Sequence, residues 1–316
     1  MPQPIPGIHH VTAIAGGPQQ NLDFYTGFLG LRLVKLTVNF DDPGTYHLYY
    51  GNEKGTPGTI LTFFPWPGAP RGRKGTGQAV TVAFAIPESS LNFWIDRLHA
   101  SGIQFDGPSR RFEEQVLAFH DPHQLPLELI ATSTGAEPWR RGPVPAEYAV
   151  RGFHSVTLSE QNCQSTAAFL TGVLGLRPAG ESGNRLRFAT GGAGPGCALD
   201  LLCEPELRRG MVAVGTVHHV AWRASSDTGQ LAWRQEISAH GHDVTAVLDR
   251  NYFHSIYFNE PGGVLFEIAT DPPGFTVDEP LNELGQHLKL PPWLEPQRAR
   301  IEGLLARLKL PNAGSA

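Results

Sequence analysis

Apolar and polar positions along this chain fall mostly into short runs of strand length, and only a few windows carry helical spacing. Residues 7–14, Gly-Ile-His-His-Val-Thr-Ala-Ile, read as a strand. Pro18–Leu29 reads as a helix: Leu22, Phe24 (or Tyr25) and Phe28 form its inner side and Gly30 closes it. Three strand-like runs follow, Leu31–Phe40, Thr45–Tyr50 and Thr59–Pro65. The unit is therefore βαβββ, and its length is that of a repeat module.

Copies of it are present. Gly152-Phe153-His154-Ser155-Val156-Thr157 matches Gly7-Ile8-His9-His10-Val11-Thr12 at an offset of 145, which also aligns Phe24 with Phe169 and Leu29-Gly30-Leu31-Arg32 with Leu174-Gly175-Leu176-Arg177. Trp94, Leu98 and Gly102 match Trp233, Ile237 and Gly241 at an offset of 139, as do Arg111 with Arg250, Phe119 with Phe258 and Glu128 with Glu267. The chain is thus read as an α+β fold of four βαβββ modules, at 7–66, 78–132, 152–205 and 216–271, in two duplicated halves. Residues 1–135 form the first expected domain and 151–272 the second, with the proline-bearing stretch 136–150 as linker and 273–316 as a tail. Within the tail, Pro292–Leu308 reads as an amphipathic helix with Leu294, Ile301, Leu304, Leu305 and Leu308 as its apolar set. It is expected on the outside of a sheet.

The repeat changes the meaning of one short phrase. His9-His10-Val11 and His218-His219-Val220 both begin strand-like runs, and imidazole is the commonest biological metal ligand. A carboxylate, Glu267, sits in the apolar run Gly263-Val264-Leu265-Phe266-Glu267-Ile268, where an unpaired charge is costly. Two histidines and one carboxylate suit a non-haem iron(II) centre with open coordination positions. At the second-histidine position the four modules carry His10, Val80, Ser155 and His219, and the second and fourth modules end in Glu128 and Glu267. Pairing module one with four and two with three gathers His10, His219 and Glu267 in one site and leaves Glu128 with Val80 and Ser155 in a degenerate one. Successive strand residues face opposite ways, so both histidines of a pair cannot reach one ion. The third module keeps His154 where Ser155 replaces its neighbour, which favours His10 and His219 as ligands and leaves His9 and His218 to support them or to line a pocket wall.

Bulk properties exclude more than they propose. The 316 residues are 41% hydrophobic with a net charge of −5 and an isoelectric point near 6.2. There is no Lys/Arg stripe for nucleic acid and no apolar run long enough to span a bilayer, so neither partner is expected. Met-Pro-Gln-Pro-Ile-Pro has no basic or apolar leader region, and a cytoplasmic location is expected. Cys163, Cys197 and Cys203 form no even framework and read as small thiols of a reducing compartment. A homo-oligomer is compatible with everything in the sequence.

The four modules, the histidines on first strands and the glutamate on a last strand resemble the vicinal-oxygen-chelate superfamily, which spans glyoxalase I, fosfomycin-resistance proteins and type I extradiol dioxygenases. Gly7-Ile8-His9-His10-Val11-Thr12, Val217-His218-His219-Val220-Ala221 and the run Arg250–Phe258 followed by Glu267 are most similar to its hydroquinone ring-cleaving branch. The resemblance implies curved mixed-sheet half-barrels, Fe(II) held by His10, His219 and Glu267 (with Mn(II) or another divalent ion as alternatives), and a pocket containing His9, Thr12, His218, Arg250 and Tyr257. It implies a small aromatic substrate and O2, both oxygen atoms entering the ring beside a hydroxyl-bearing carbon. Tyr257 is then the candidate hydrogen-bond donor to the metal-bound phenolate oxygen, Arg250 its support, and His218 or His9 a proton carrier. The alternatives on the same scaffold are a glyoxalase-type isomerase or thiol transferase, which usually completes its metal shell with a second glutamate, and a non-catalytic small-molecule binding protein. The other histidines, His47 among them, are read as exposed or locally bonded.

Overall fold

The structure, a computed structural model, describes residues 2–133 and 135–311. Met1 and the last five residues of the expected tail lie outside the described residues. The first module comprises β1 (Ile8–Ala15), α1 (Pro18–Asp23), β2 (Arg32–Asn39), β3 (Asp42–Gly51) and β4 (Ile60–Pro65). The second comprises β5 (Gln78–Pro87), α2 (Leu91–Ala100), β6 (Phe105–Arg111), β7 (Glu114–His120) and β8 (Pro126–Thr132). The third has β9 (Phe153–Glu160), α3 (Cys163–Gly172), β10 (Arg177–Ser182), β11 (Arg185–Ala189) and β12 (Ala198–Cys203). The fourth has β13 (Val217–Ala224), α4 (Asp227–Ala239), β14 (Leu248–Asp249), β15 (Phe253–Asn259) and β16 (Leu265–Pro273).

Two curled eight-stranded mixed sheets result, each a pair of half-barrels. One runs β14-β15-β16-β13-β1-β4-β3-β2 and the other β10-β11-β12-β9-β5-β8-β7-β6. Module one is therefore joined to module four, through antiparallel β1–β13, and module two to module three, through antiparallel β5–β9. The crosswise arrangement puts first strands at the centre of each sheet, where both faces are covered. This is why β1 is buried along its whole length. Alternation then sorts its side chains. Val11 and Ala13 enter the main core beneath the helices with Phe63, Trp222 and Phe266, while His10 and Thr12 take the other, concave face. No helix among the described residues is long and apolar enough to cross a membrane.

Three expectations change. The helix after β1 starts at Pro18 as read, but its last turn is a π-type turn over Phe24–Phe28, closed by Gly30 at φ 69°. The tail helix is short: α5 spans only Arg298–Leu304 after a 3-10 turn at Glu295–Gln297, because Pro291, Pro292 and Pro296 deny helical backbone to what precedes it. Leu294 and Ile301 pack on Val38 of β2, whereas Leu304 is exposed. The cysteines are also not all free thiols. Parallel pairing of β12 with β9 sets Cys203 opposite Glu160, three residues before Cys163, and Cys163 and Cys203 are joined as a disulfide, leaving Cys197 free.

The tail covers the concave face of the first sheet. Lys35 on β2 is wholly buried, and its ammonium lies 2.6 Å from both Asp278 and Glu279. It also faces the Tyr252 ring, whose hydroxyl donates to Asp278 at 3.0 Å. A buried cation demands such partners, so Lys35 pins the segment after β16 over Val34, Tyr49 and Phe253, with Phe275 in the same apolar cluster.

In the second sheet, the positions equivalent to the His10/His219/Glu267 site hold a salt-bridge network. Arg111 donates twice to Glu128, at 2.8 Å each. Arg187 bridges Asp200 and Glu114, Arg185 also reaches Asp200, and His154 bonds Glu114 at 2.8 Å. Removing one partner of a buried pair leaves an uncompensated charge. Arg111→Ala is therefore expected to destabilise the fold by about 3 kcal/mol in chemical denaturation while leaving divalent-metal content unchanged. Loss of metal from this variant would contradict the assignment of this half to structure.

Candidate metal centre

Three strands deliver the three candidate ligands. In register, Tyr257 on β15 faces Glu267 on β16, Glu267 faces Ala221 on β13, and Ala221 faces His10 on β1. The next row sets His219 of β13 opposite Thr12 of β1. The concave curl brings the ligand atoms of His10, His219 and Glu267 within 4.8 Å of one another, all three residues buried. The His10 Nε2 lies 3.2 Å from His219 Nε2 and 3.4 Å from Glu267 Oε2, and His219 Nε2 lies 3.0 Å from the same oxygen.

These residues fit a divalent cation. Glu267 Oε2 is buried without a hydrogen bond, whereas Oε1 accepts one from Ser255 at 2.5 Å. The free oxygen and two imidazole nitrogens thus face one point, the donor set of a two-histidine, one-carboxylate centre. Each candidate ligand histidine is oriented from behind. His10 Nδ1 is 2.9 Å from His9 Nδ1, and His219 Nδ1 is 2.8 Å from His218 Nδ1. His9 is also hydrogen-bonded to the Thr270 backbone. With the His9 proton spent on that carbonyl, its Nδ1 accepts from His10 Nδ1–H, and the lone pair of His10 is left on Nε2, toward the cluster. Such partners behind a ligand fix both its ring orientation and its tautomer.

Electrostatics agree. Burial alone would raise the Glu267 carboxyl, but His10 and His219 outweigh it and hold it well below the usual carboxylate range. Burial lowers His219, and Glu267 opposes the shift. Burial and the neighbouring His219 bring His218 down to about 3, and burial with His10 takes His9 well below its ordinary value, so both stay neutral.

The cluster opens into a recessed cavity of about 260 Å³. Of the residues expected there, His218, Arg250 and Tyr257 line it with His10 and His219. Tyr257 stands edge-on to His219, ring centres 5.8 Å apart. The Arg250 Nε–H points at the Tyr257 oxygen over 3.3 Å, its guanidinium overlies the ring, and its Nη1 is 3.0 Å from Asp41. Burial lowers Arg250, but Tyr257 and Asp41 outweigh it and raise it, so the cation persists. The Tyr257 phenol is raised by burial and then by Glu267, so it stays a donor. Thr12 is placed differently from the wall residues: it is fully buried behind the cavity, bonded to Thr62 at 2.8 Å. His9 is likewise behind the wall, against Phe253.

Sequence reasoning passed over His47 and Tyr49 on β3, and Phe64, Trp66, Phe253 and Asp41, all of which line the cavity. His47, read as exposed or locally bonded, is bonded to Thr62 and Tyr49 and is a wall residue, its ring tilted between those of Tyr49 and Phe64. The i, i+2 spacing of His47 and Tyr49 was the available signal: it puts both on one face of the strand. Which face is set by the pairing of β3 with β4, which the sequence does not specify. A larger surface crevice beside Phe24, Phe28 and Asp121 contains none of the metal-candidate residues.

Comparison with known proteins places the chain by class first. The model of the Glyoxalase/Bleomycin resistance protein/Dioxygenase superfamily matches residues 7–129 and 152–268, and the chain belongs to that superfamily. Among its relatives, MhqO of Bacillus subtilis (strain 168), provisionally named a ring-cleaving dioxygenase, is 50% identical over 95% of this chain and 96% of its own length. The chlorohydroquinone/hydroquinone 1,2-dioxygenase of Sphingobium indicum is 36% identical over 93% of this chain and 94% of its own. A crystal structure of a Bacillus subtilis protein assigned provisionally as a dioxygenase superposes with a TM-score of 0.94 at 47% identity, covering 97% of this chain and 98% of that one. Glyoxalase I from Zea mays shares the fold, with a TM-score of 0.63 at 15% identity over 89% and 97% of the two chains.

The support behind His10 is directly testable. His9→Ala is expected to weaken divalent-metal affinity about 10- to 100-fold, the usual effect of losing such a partner, in competition against a chromogenic chelator. Unchanged affinity would remove His9 from the centre.

Proposed function

We propose that the protein is an Fe(II)-dependent ring-cleaving dioxygenase acting on a hydroquinone-type aromatic, with His10, His219 and Glu267 as metal ligands. The observation that carries the reading is the convergence of two imidazole nitrogens and an unpaired buried carboxylate oxygen at the wall of a cavity of about 260 Å³, the scale of one substituted ring. The resemblance of the whole chain to a hydroquinone 1,2-dioxygenase supports it. Bound iron(II) would supply the redox path between an electron-rich phenolate and O2 and would acidify the phenol it binds.

The chain's own residues do the rest. Phe64, Phe253 and Trp66 give the ring apolar walls. Tyr257 retains its proton and donates to the phenolate oxygen, while the Arg250 N–H occupies the Tyr257 oxygen and leaves its hydrogen free for that bond. Asp41 holds Arg250 in place. His218 is neutral and lines the cavity; with its Nδ1 accepting from His219 Nδ1–H, its Nε2–H is left to donate a hydrogen bond to an oxygen of the substrate. His9 and Thr12 act from behind the wall. A glyoxalase-type isomerase would need more carboxylate at the metal, and Glu128, the other last-strand glutamate, is on the second sheet and held by Arg111.

Oxygen-electrode traces with anaerobically iron-loaded protein should show uptake with hydroquinone and its chloro and methyl derivatives, and little with catechol. Uptake with catechol alone would transfer the protein to the ordinary extradiol type. No uptake with bound iron, together with turnover of a methylglyoxal–thiol adduct, would establish the isomerase.

A further inference from the structure

Four side chains form one continuous hydrogen-bonded chain across the concave face. Thr12 Oγ1 is 2.8 Å from Thr62 Oγ1, Thr62 Oγ1 is 2.8 Å from His47 Nε2, and His47 Nδ1 is 2.9 Å from the Tyr49 hydroxyl. Thr12, Thr62 and Tyr49 stand in one cross-strand row with His219. Such a chain can run in two directions, and each direction leaves one hydroxyl hydrogen over. If Tyr49 donates to His47, the spare hydrogen is on Thr12. If Thr12 donates to Thr62, the spare hydrogen is on Tyr49.

The two ends are not equivalent. Thr12 and Thr62 are fully buried, neither lines the cavity, and Thr12 has no other hydrogen-bond partner among the described residues. A spare hydrogen there would be buried unsatisfied, which is costly. Tyr49 lines the cavity and has only His47 as hydrogen-bond partner among the described residues. The favoured direction therefore runs Thr12 to Thr62 to His47 Nε2, with His47 Nδ1–H donating to the Tyr49 oxygen. We infer that Tyr49 is a substrate-recognition residue, its hydroxyl hydrogen turned into the cavity to bind a second oxygen on the aromatic ring, one not held at the His10/His219/Glu267 cluster.

The placement suits this role. The ligands stand on β16, β13 and β1, with Tyr257 one strand outside β16 and Tyr49 two strands outside β1. A ring between these two tyrosines has a donor at each end. Burial, then His10 and His219, lower His47 well below its ordinary value, so it keeps the single N–H that the chain requires. Burial, then Tyr257 and Glu267, raise Tyr49, which keeps its proton. His47, Thr62 and Thr12 are positioning residues, since they act through Tyr49.

The inference rests on the hydroquinone reading above, and the test separates the two. Hydroquinone and phenol are titrated anaerobically, by calorimetry, into zinc(II)-loaded wild type, Tyr49→Phe and Thr62→Val. Wild type is expected to prefer hydroquinone by about tenfold, the effect of one neutral hydrogen bond. Tyr49→Phe should bind the two ligands within about twofold of each other. Thr62→Val should also lose most of the preference although Tyr49 is intact, because His47 can then accept the Tyr49 hydrogen. A merely structural Tyr49 would change both affinities together. Preference retained in Tyr49→Phe, or full preference in Thr62→Val, would overturn this inference while leaving the hydroquinone reading standing. Wild type that binds neither ligand and takes up no O2 with hydroquinones would overturn both.

Discussion

The buried carboxylate of Glu267 is the constraint on which the rest of the first sheet depends. It sits at zero exposure on a central strand, with one oxygen bonded to Ser255 and the other free. An anion in that position requires a cation or donors of equal strength. His10 and His219 approach its free oxygen at 3.4 and 3.0 Å, and each is turned toward it by another histidine behind. The pairing of module one with module four is the topology that brings these three groups together. The same folding of the other two modules produces a sheet of the same order with a different answer to the same problem, in which Arg111 neutralises Glu128 directly.

The two halves fill the same concave face in different ways. In the first sheet, a cavity opens between β1, β13 and the β2–β3 connection, and its walls carry imidazoles, phenols and one guanidinium. In the second, three arginines and three carboxylates fill the corresponding face. The first half needs its concave face closed from one end, and Lys35 does this by fixing Asp278 and Glu279 of the tail above it. Tyr49 and Phe253, which line the cavity, belong to one apolar cluster with Val34 and Phe275.

Much of this was legible in the sequence because the chain carries its own alignment. The internal copies located the modules, and the loss of the second histidine in modules two and three distinguished the two pairings, although the register puts Thr81, one residue beyond the expected Val80, at the place of His219. Strand alternation selected one histidine of each pair. Features that depend on register between strands were not legible. His47 and Tyr49 reach the cavity only through the pairing of β3 with β4, Cys203 meets Cys163 only through the pairing of β12 with β9, and the proline-rich approach to α5 has an apolar pattern that its backbone cannot follow as a helix. The depth of Thr12 behind the wall likewise follows from the place of β1 between β13 and β4.

Metal stoichiometry tests this account most directly. Wild type and Glu267→Gln would be loaded anaerobically with Fe(II), desalted and analysed for iron per chain by elemental mass spectrometry, with cooperative thermal unfolding as the check on folding. The account predicts about one iron per wild-type chain and almost none in the folded variant, as expected for a centre with a single charged ligand. Two irons per chain, or one retained without the Glu267 carboxylate, would contradict it.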